Sequence, residues 1–172
     1  MGGARFNARR KEVFRVRPAV LLISAFISLL LQTFLPLTTP AARLFDFPLL
    51  VTIYFSVFRQ HKIFGIWLGT ILGLLQDALS HGYLGIMGAA DAVIGYLAAS
   101  VGIKLNLEGI LARGLLTGLL VIVHDLCVFG LLHAMLETPP PLRSFDMVSS
   151  ALVNMATALL LFQTLDRFKR ST

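Results

Sequence analysis

The sequence has 172 residues, of which 56% are hydrophobic and 14% are charged. Soluble domains carry about 25% charged residues, because charged side chains cover the surface that faces water. This composition therefore excludes an ordinary soluble enzyme domain, and also a nucleic-acid-binding module despite the net charge of +6. The single cysteine, Cys127, excludes an intramolecular disulfide and a cysteine-rich metal site. The chain is predicted to be an integral membrane protein.

Long apolar segments follow one another along the chain, and we predict that each forms a transmembrane helix. About 20 helical residues are needed to cross roughly 30 Å of hydrocarbon. The six segments cover residues 18–36, 44–58, 63–79, 84–103, 110–136 and 145–165. The second is short and contains Pro48, so we expect it either to begin nearer Ala41 or to be broken. The fifth is long, so we expect it to begin nearer Gly114 or to tilt.

The basic residues predict the orientation of this all-α, polytopic six-helix bundle. The chain has 15 lysines and arginines, and a cytoplasmic N-terminus leaves only Arg43 and Arg143 on the external side. Cytoplasmic segments are the ones enriched in lysine and arginine. We therefore predict a basic cytoplasmic tail over residues 1–17, a transmembrane domain over 18–166 and a second cytoplasmic tail over 167–172.

The N-terminal tail carries a cluster of basic side chains opposed by Glu12 alone. Such clusters next to a membrane attract anionic lipid, and an acidic cytoplasmic partner is the alternative. The residues expected to make these contacts are Arg9, Arg10, Lys11, Arg15 and Arg17.

Glycines recur at helical spacing in the third and fourth segments. Residues four apart in a helix are rotated by only about 40°, so they share one stripe. The stripe residues are Gly65, Gly69, Gly73 and Asp77 in the third segment, and Gly85, Gly88 and Gly95 in the fourth. Small residues let membrane helices approach closely. The stripes fit either packing within the bundle or a surface for the transmembrane helix of a partner.

Three acids, Asp77, Asp91 and Asp125, lie within predicted spans. A charged carboxylate there costs about 2.5–3.5 kcal/mol, so each must be paired, protonated or reached by water. They could bond to backbone groups, form a proton relay or cation site, or contact a partner. His81 follows Asp77 by four residues, but no other residue has metal-ligand spacing, so we predict no metal site. The sequence has no phosphate loop, nucleophile elbow or HExxH helix, and we predict no catalytic residue and no cofactor.

With these residues in hand, the chain resembles the MreD family of bacterial rod-shape-determining membrane proteins. The match is strongest between residues 69 and 85, where Gly69, Gly73, Asp77 and Gly85 occupy the characteristic positions of the family. Asp125 matches more loosely. Asp91 and His81 are not part of the pattern, so no family role is carried onto them.

The resemblance implies a non-enzymatic scaffold in the bacterial inner membrane. It implies direct binding to MreC, a single-pass protein, and membership of an assembly with MreB, RodA and a penicillin-binding transpeptidase. It also implies a fold similar to the S-components of energy-coupling-factor vitamin transporters. A vitamin-binding subunit, with Asn154 and Gln163 as scattered pocket candidates, is therefore an alternative function. Proton-coupled transport through Asp91 and Asp125 is a third.

Overall fold

The computed structural model of the chain describes residues 18–80, 83–105, 109–138, 141 and 144–167. Each helix in this part of the chain is long and apolar enough to cross a membrane, if α2 is taken with the turn before it. The elements are α1 (Pro18–Thr38), a short 3-10 helix (Pro40–Leu44), α2 (Phe47–Arg59), α3 (Lys62–Ser80), α4 (Ile86–Lys104), α5 (Ile110–Met135) and α6 (Ser144–Asp166). No strand occurs among these described residues. The predicted all-α fold with six spans is confirmed.

The second span is broken, which is one of the two arrangements expected from its short length and Pro48. Its α-helix begins at residue 47, three residues after the predicted start at residue 44. The 3-10 helix ends at Leu44, and α2 begins at Phe47. Asp46 caps α2 by accepting a hydrogen bond from the Leu49 backbone N–H at 3.2 Å. Pro48 lies in the first turn, where its missing N–H leaves no helical bond unmade. The proline therefore marks the helix start and causes no kink.

The fifth span does not begin nearer Gly114, as one expectation had it, because α5 begins at Ile110. With 26 residues, α5 is about 39 Å long at 1.5 Å per residue. That length exceeds the roughly 30 Å of hydrocarbon that a helix must cross. A tilt of this helix stays a prediction.

The helices alternate in direction, so the bundle has two distinguishable ends. The termini end contains Pro18 and Asp166, and the 3-10 end contains the 3-10 helix and the α3–α4 connection. The most extensive helix pair is α3 with α4, and α2 packs against both of them as well as against α1. Because α2 is central, its side chains are buried on every face, and it contributes more residues to the apolar core than any other helix.

A polar network fastens the termini end of the bundle. Arg113 near the start of α5 forms an ion pair with Asp166 at the end of α6. The Tyr54 hydroxyl, on α2, donates a hydrogen bond to the Asp166 carboxylate at 3.0 Å. The guanidinium group of Arg113 also lies 5.0 Å from the centre of the Phe58 ring. Three helices are therefore joined where the chain leaves the last span.

Candidate functional site

The glycine stripe of α3 packs directly against α4. A methyl group on Gly65 would overlap the backbone carbonyl of Gly95, and one on Gly69 would overlap that of Asp91. A methyl group on Gly73 would come within 2.6 Å of the Met87 carbonyl carbon. Backbone atoms cannot move aside as a flexible side chain can. The α4 helix therefore covers the glycine stripe of α3, which the sequence analysis considered as a possible surface for a partner helix.

Glycines on α4 complete this close packing and start the helix. A methyl group on Gly88 would lie 2.8 Å from the Leu74 side chain of α3. Gly85, just before α4, has a φ of +97°, a conformation that costs glycine little because it has no Cβ atom. The glycine residues of both stripes thus build a tight α3–α4 hairpin.

Asp77 is the cap of that hairpin. Its carboxylate lies in the last turn of α3 and is 2% exposed. It accepts hydrogen bonds from the backbone N–H groups of Gly85 at 2.8 Å, Met87 at 3.3 Å and Gly88 at 3.3 Å. The first N–H groups of a helix lack helical partners and carry the positive end of the helix dipole. Asp77 therefore stabilises the start of α4 by both hydrogen bonding and charge.

Asn154 of α6 holds the 3-10 end together. Its side-chain amide donates to the Leu44 carbonyl at 2.8 Å, and its side-chain oxygen accepts from the Asp46 backbone N–H at 2.9 Å. Asn154 is completely buried, and both bonds link it to partly buried backbone on either side of the break. The Asn154 side chain therefore links α6 to the backbone between the 3-10 helix and α2.

Replacing Asn154 with alanine should destabilise the protein by about 1–3 kcal/mol, because the Asp46 backbone N–H loses its acceptor and the Leu44 carbonyl keeps only the Ser150 hydroxyl at 3.3 Å. Unfolding by denaturant in detergent micelles would measure this change. Gln163 is exposed on the same helix, and its replacement with alanine is the control, expected to have no effect. Equal stability of the two variants would contradict the structural role of Asn154.

His124 of α5 lies between two carboxylates. Its Nε2 atom is 3.2 Å from Oδ1 of Asp91 on α4, and its Nδ1 atom is 3.4 Å from Oδ1 of Asp125. The contact with Asp91 has ion-pair distance but not hydrogen-bond alignment. As a result, neither oxygen of Asp91 has a hydrogen-bond partner among the described residues. Asp46 is also close enough to act electrostatically on Asp91 and His124.

The three intramembrane acids differ in exposure. Asp77 and Asp91 are buried, at 2% and 0%, whereas 26% of the Asp125 side chain is exposed. Asp125 lies ten residues before the end of α5, which is about 15 Å along the helix axis. It is therefore a partly exposed carboxylate well inside a membrane span.

An apolar surface of α5 borders Asp125. Residues at positions 115, 119, 126 and 130 fall within about 60° of one another at 100° per residue. Leu115, Leu119, Leu126 and Gly130 are all exposed, and the space around Gly130 is open. We call these four residues the α5 face. Asp125 lies about 100° from Leu126 and about 80° from Leu115, the nearest of the four, so it flanks this face and is not part of it.

A family-wide sequence profile described as rod shape-determining protein MreD matches residues 13–171. The chain belongs to the MreD family. It is thus a rod-shape-determining, multi-pass membrane protein, and this family is a structural one not known for enzymatic activity. No curated protein and no solved structure matches the chain. The similarity in fold to vitamin-transporter S-components stays a prediction.

In this member of the MreD family, several predicted site residues lie outside the described part of the chain. These are the basic residues Arg9, Arg10, Lys11, Arg15 and Arg17, together with His81. Their contacts with lipid or a cytoplasmic partner stay predictions. Within the described residues, no three histidine, cysteine, aspartate or glutamate side chains are placed to hold a metal ion.

Sequence reasoning missed some residues of this MreD-family site. Asp46 had a signal that could have found it, because an aspartate two residues before a proline is a typical start of a helix. The contact between His124 and Asp91 had none, because 33 positions separate these residues in the chain. Among the intramembrane acids, Asp125 combines partial exposure with a neighbouring apolar helix surface, and this makes it the best placed to meet another molecule.

Proposed function

We propose that this chain is a non-enzymatic scaffold of the cell-elongation machinery that binds MreC and helps maintain rod shape. It lies in the bacterial inner membrane with both termini in the cytoplasm, an orientation supported by the distribution of its basic residues. MreC is the direct partner. MreB, RodA and the penicillin-binding transpeptidase belong to the same assembly and are reached through MreC, so the chain regulates peptidoglycan synthesis along the cell wall indirectly.

The partly exposed Asp125 is the observation that carries this proposal. An ionisable group that faces hydrocarbon costs about 2.5–3.5 kcal/mol. Its neighbour His124 lies 3.4 Å away but is itself buried against Asp91. The exposed part of the Asp125 carboxylate is therefore available to a hydrogen-bond donor on another transmembrane helix. We assign that donor to the membrane span of MreC.

The α5 face offers the apolar contacts that such a helix needs. Membrane helices associate through close van der Waals packing and interhelical hydrogen bonds. The leucine side chains and the open space at Gly130 allow close van der Waals packing, and Asp125 can accept an interhelical hydrogen bond. The glycine stripe of α3 is already covered by α4, and Asp77 already accepts three internal hydrogen bonds. These features support α5 as the partner surface.

Replacing Asp125 with leucine should reduce co-purification of MreC about tenfold or more, the equivalent of one hydrogen bond to a charged group. Asp125→Asn keeps an acceptor oxygen and should retain most of the MreC. Affinity purification from cells that produce both proteins, followed by quantitative immunoblotting, measures the effect. Thermal unfolding of the purified variants shows whether each remains folded.

A steric pair of variants tests the same surface independently of Asp125. Leu119→Trp places a bulky group on the α5 face and should also reduce MreC recovery. Leu160→Trp on α6 is the control, because Leu160 is similarly exposed but lies off this face. Wild-type recovery of MreC with both Asp125→Leu and Leu119→Trp would show that MreC binds elsewhere.

The vitamin-binding alternative has no support from the polar residues that suggested it. Asn154 uses its amide in the 3-10 end of the bundle, and Gln163 is exposed. We therefore propose scaffolding alone.

A further inference from the structure

An apolar groove runs along one side of the bundle between α1 and α6. No Cα atom of α1 approaches one of α6 within 8 Å, and both helices are described over their full length. The gap forms a partly open cavity of about 330 Å³ with α2 as its floor. Side chains that line it include Val20, Ile27 and Leu31 of α1, Val51 of α2, and Leu161 and Leu165 of α6. We call this cavity the α1–α6 groove.

The hydroxyl groups in the groove are all used by the helices that carry them. Ser24 donates to the Leu21 carbonyl at 3.0 Å, and Ser28 donates to the Ala25 carbonyl at 2.8 Å. Thr164 on the opposite wall donates to the Leu160 carbonyl at 2.9 Å. No hydroxyl hydrogen therefore points to an occupant. The groove fits a molecule that is apolar over the whole length of the contact.

The groove extends over one half of the membrane. Val20 and Leu31 on the α1 wall are 11 positions apart, which is about 16 Å of helix. The hydrocarbon core is about 30 Å thick, so one leaflet contributes about 15 Å. The groove begins at the termini end, because Val20 is near the start of α1 and Leu165 near the end of α6. Its length and position match the acyl chain of a lipid in the leaflet on that side.

A basic residue, Arg167, adjoins the groove at the termini end. Arg167 follows Leu165 by two residues and is exposed. Arg15 and Arg17 precede Pro18 in the sequence, and Lys169 and Arg170 follow Arg167.

We propose that the α1–α6 groove binds one acyl chain of an anionic phospholipid, whose phosphate group lies at the termini end beside Arg167. In a phospholipid the anionic headgroup is followed by an apolar chain. Along the protein, Arg167 at the termini end is likewise followed by the apolar groove. Anionic headgroups gain about fivefold in binding for each basic residue near the membrane surface. This site is separate from the α5 face and does not depend on the MreC proposal.

The test uses the full chain and native mass spectrometry with phosphatidylglycerol and phosphatidylcholine of identical acyl chains. The wild type should retain one phosphatidylglycerol at concentrations where phosphatidylcholine is lost. Ile27→Trp fills the groove and should remove this retention, whereas Ile71→Trp on α3 should not. Ile71→Trp is the matched control for Ile27→Trp, because the two isoleucines are exposed to the same extent, 50% and 49%. Arg167→Ala should weaken retention of phosphatidylglycerol about fivefold and leave phosphatidylcholine unchanged.

A photoreactive amino acid at position 27 identifies the occupant in membranes. Attachment of a lipid to the chain supports the proposal, whereas attachment to MreC or to a second copy of the chain overturns it. Equal lipid retention by Ile27→Trp and Ile71→Trp would show that the groove is not the site. Equal retention of the two lipids by the wild type would show that the net negative charge of the headgroup is not recognised. MreC recovery should be unchanged in Ile27→Trp, which separates this test from that of the α5 face.

Discussion

Replacing Gly73 with leucine is expected to destabilise the protein by about 3 kcal/mol or more, the upper part of the range for overpacking a close-packed interior. Even a single methyl group at this position would lie 2.6 Å from the Met87 carbonyl carbon and 2.7 Å from the Gly88 Cα atom. Both are backbone atoms, so the two helices would have to separate. Thermal unfolding in micelles would measure the loss. Any loss of MreC in this variant would then follow from a damaged α3–α4 hairpin.

Gly130→Ala is the control for substitutions at Gly73. It is matched in size to Gly73→Ala, which is a milder test than Gly73→Leu. Gly130 also lies inside a helix, but within the described residues no atom beyond its own stretch of helix is within 4 Å of the position where its Cβ would be. Its replacement with alanine should be neutral or stabilise the helix by up to about 1 kcal/mol. If Gly73→Leu unfolded at the same temperature as Gly130→Ala, the close approach of α3 to α4 would be refuted.

Replacing Asp77 with alanine should cost about 3 kcal/mol, since hydrogen bonds to a charged group contribute about 1.5–3 kcal/mol each and neighbouring bonds are not additive. The backbone N–H groups of Gly85, Met87 and Gly88 would lose their acceptor. The start of α4 should fray, and hydrogen exchange at these three amides should become faster. We also expect rounded cells when this variant replaces the wild type.

Asp77→Asn separates the hydrogen bonds of Asp77 from its charge. Asparagine has nearly the same shape and keeps one acceptor oxygen, so it should retain part of the protection that alanine loses. An exchange rate at residues 85–88 that stays the same in Asp77→Ala would rule out the capping role. Rod-shaped cells with a fully stable Asp77→Ala protein would remove Asp77 from the functional residues altogether.

These two predictions give a physical meaning to the residues that carry the family resemblance. Gly69 and Gly73 face the backbone of α4, Asp77 caps it, and Gly85 starts it. All four therefore act in one structural unit, the α3–α4 hairpin. We infer that the partner surface depends on this hairpin for its position and lies on another helix.

The amino-acid sequence by itself determined the number of spans, the all-α fold and the glycine stripes. Each is a local property, since the length of an apolar run and the spacing of residues along one helix do not depend on the rest of the chain. The break at Asp46 and Pro48 was only partly predictable, because proline favours a helix start as readily as a kink.

Only the tertiary structure decided what each polar or small residue meets. Sequence spacing could not distinguish a glycine stripe covered by α4 from one left open, because both use the same small side chains. Nor could it show that Asp77 and Asp91 are buried while Asp125 is partly exposed. The gap between α1 and α6 likewise has no local signal. Which helices touch depends on how all six pack together, and a pattern along one helix holds no information about its distance from another.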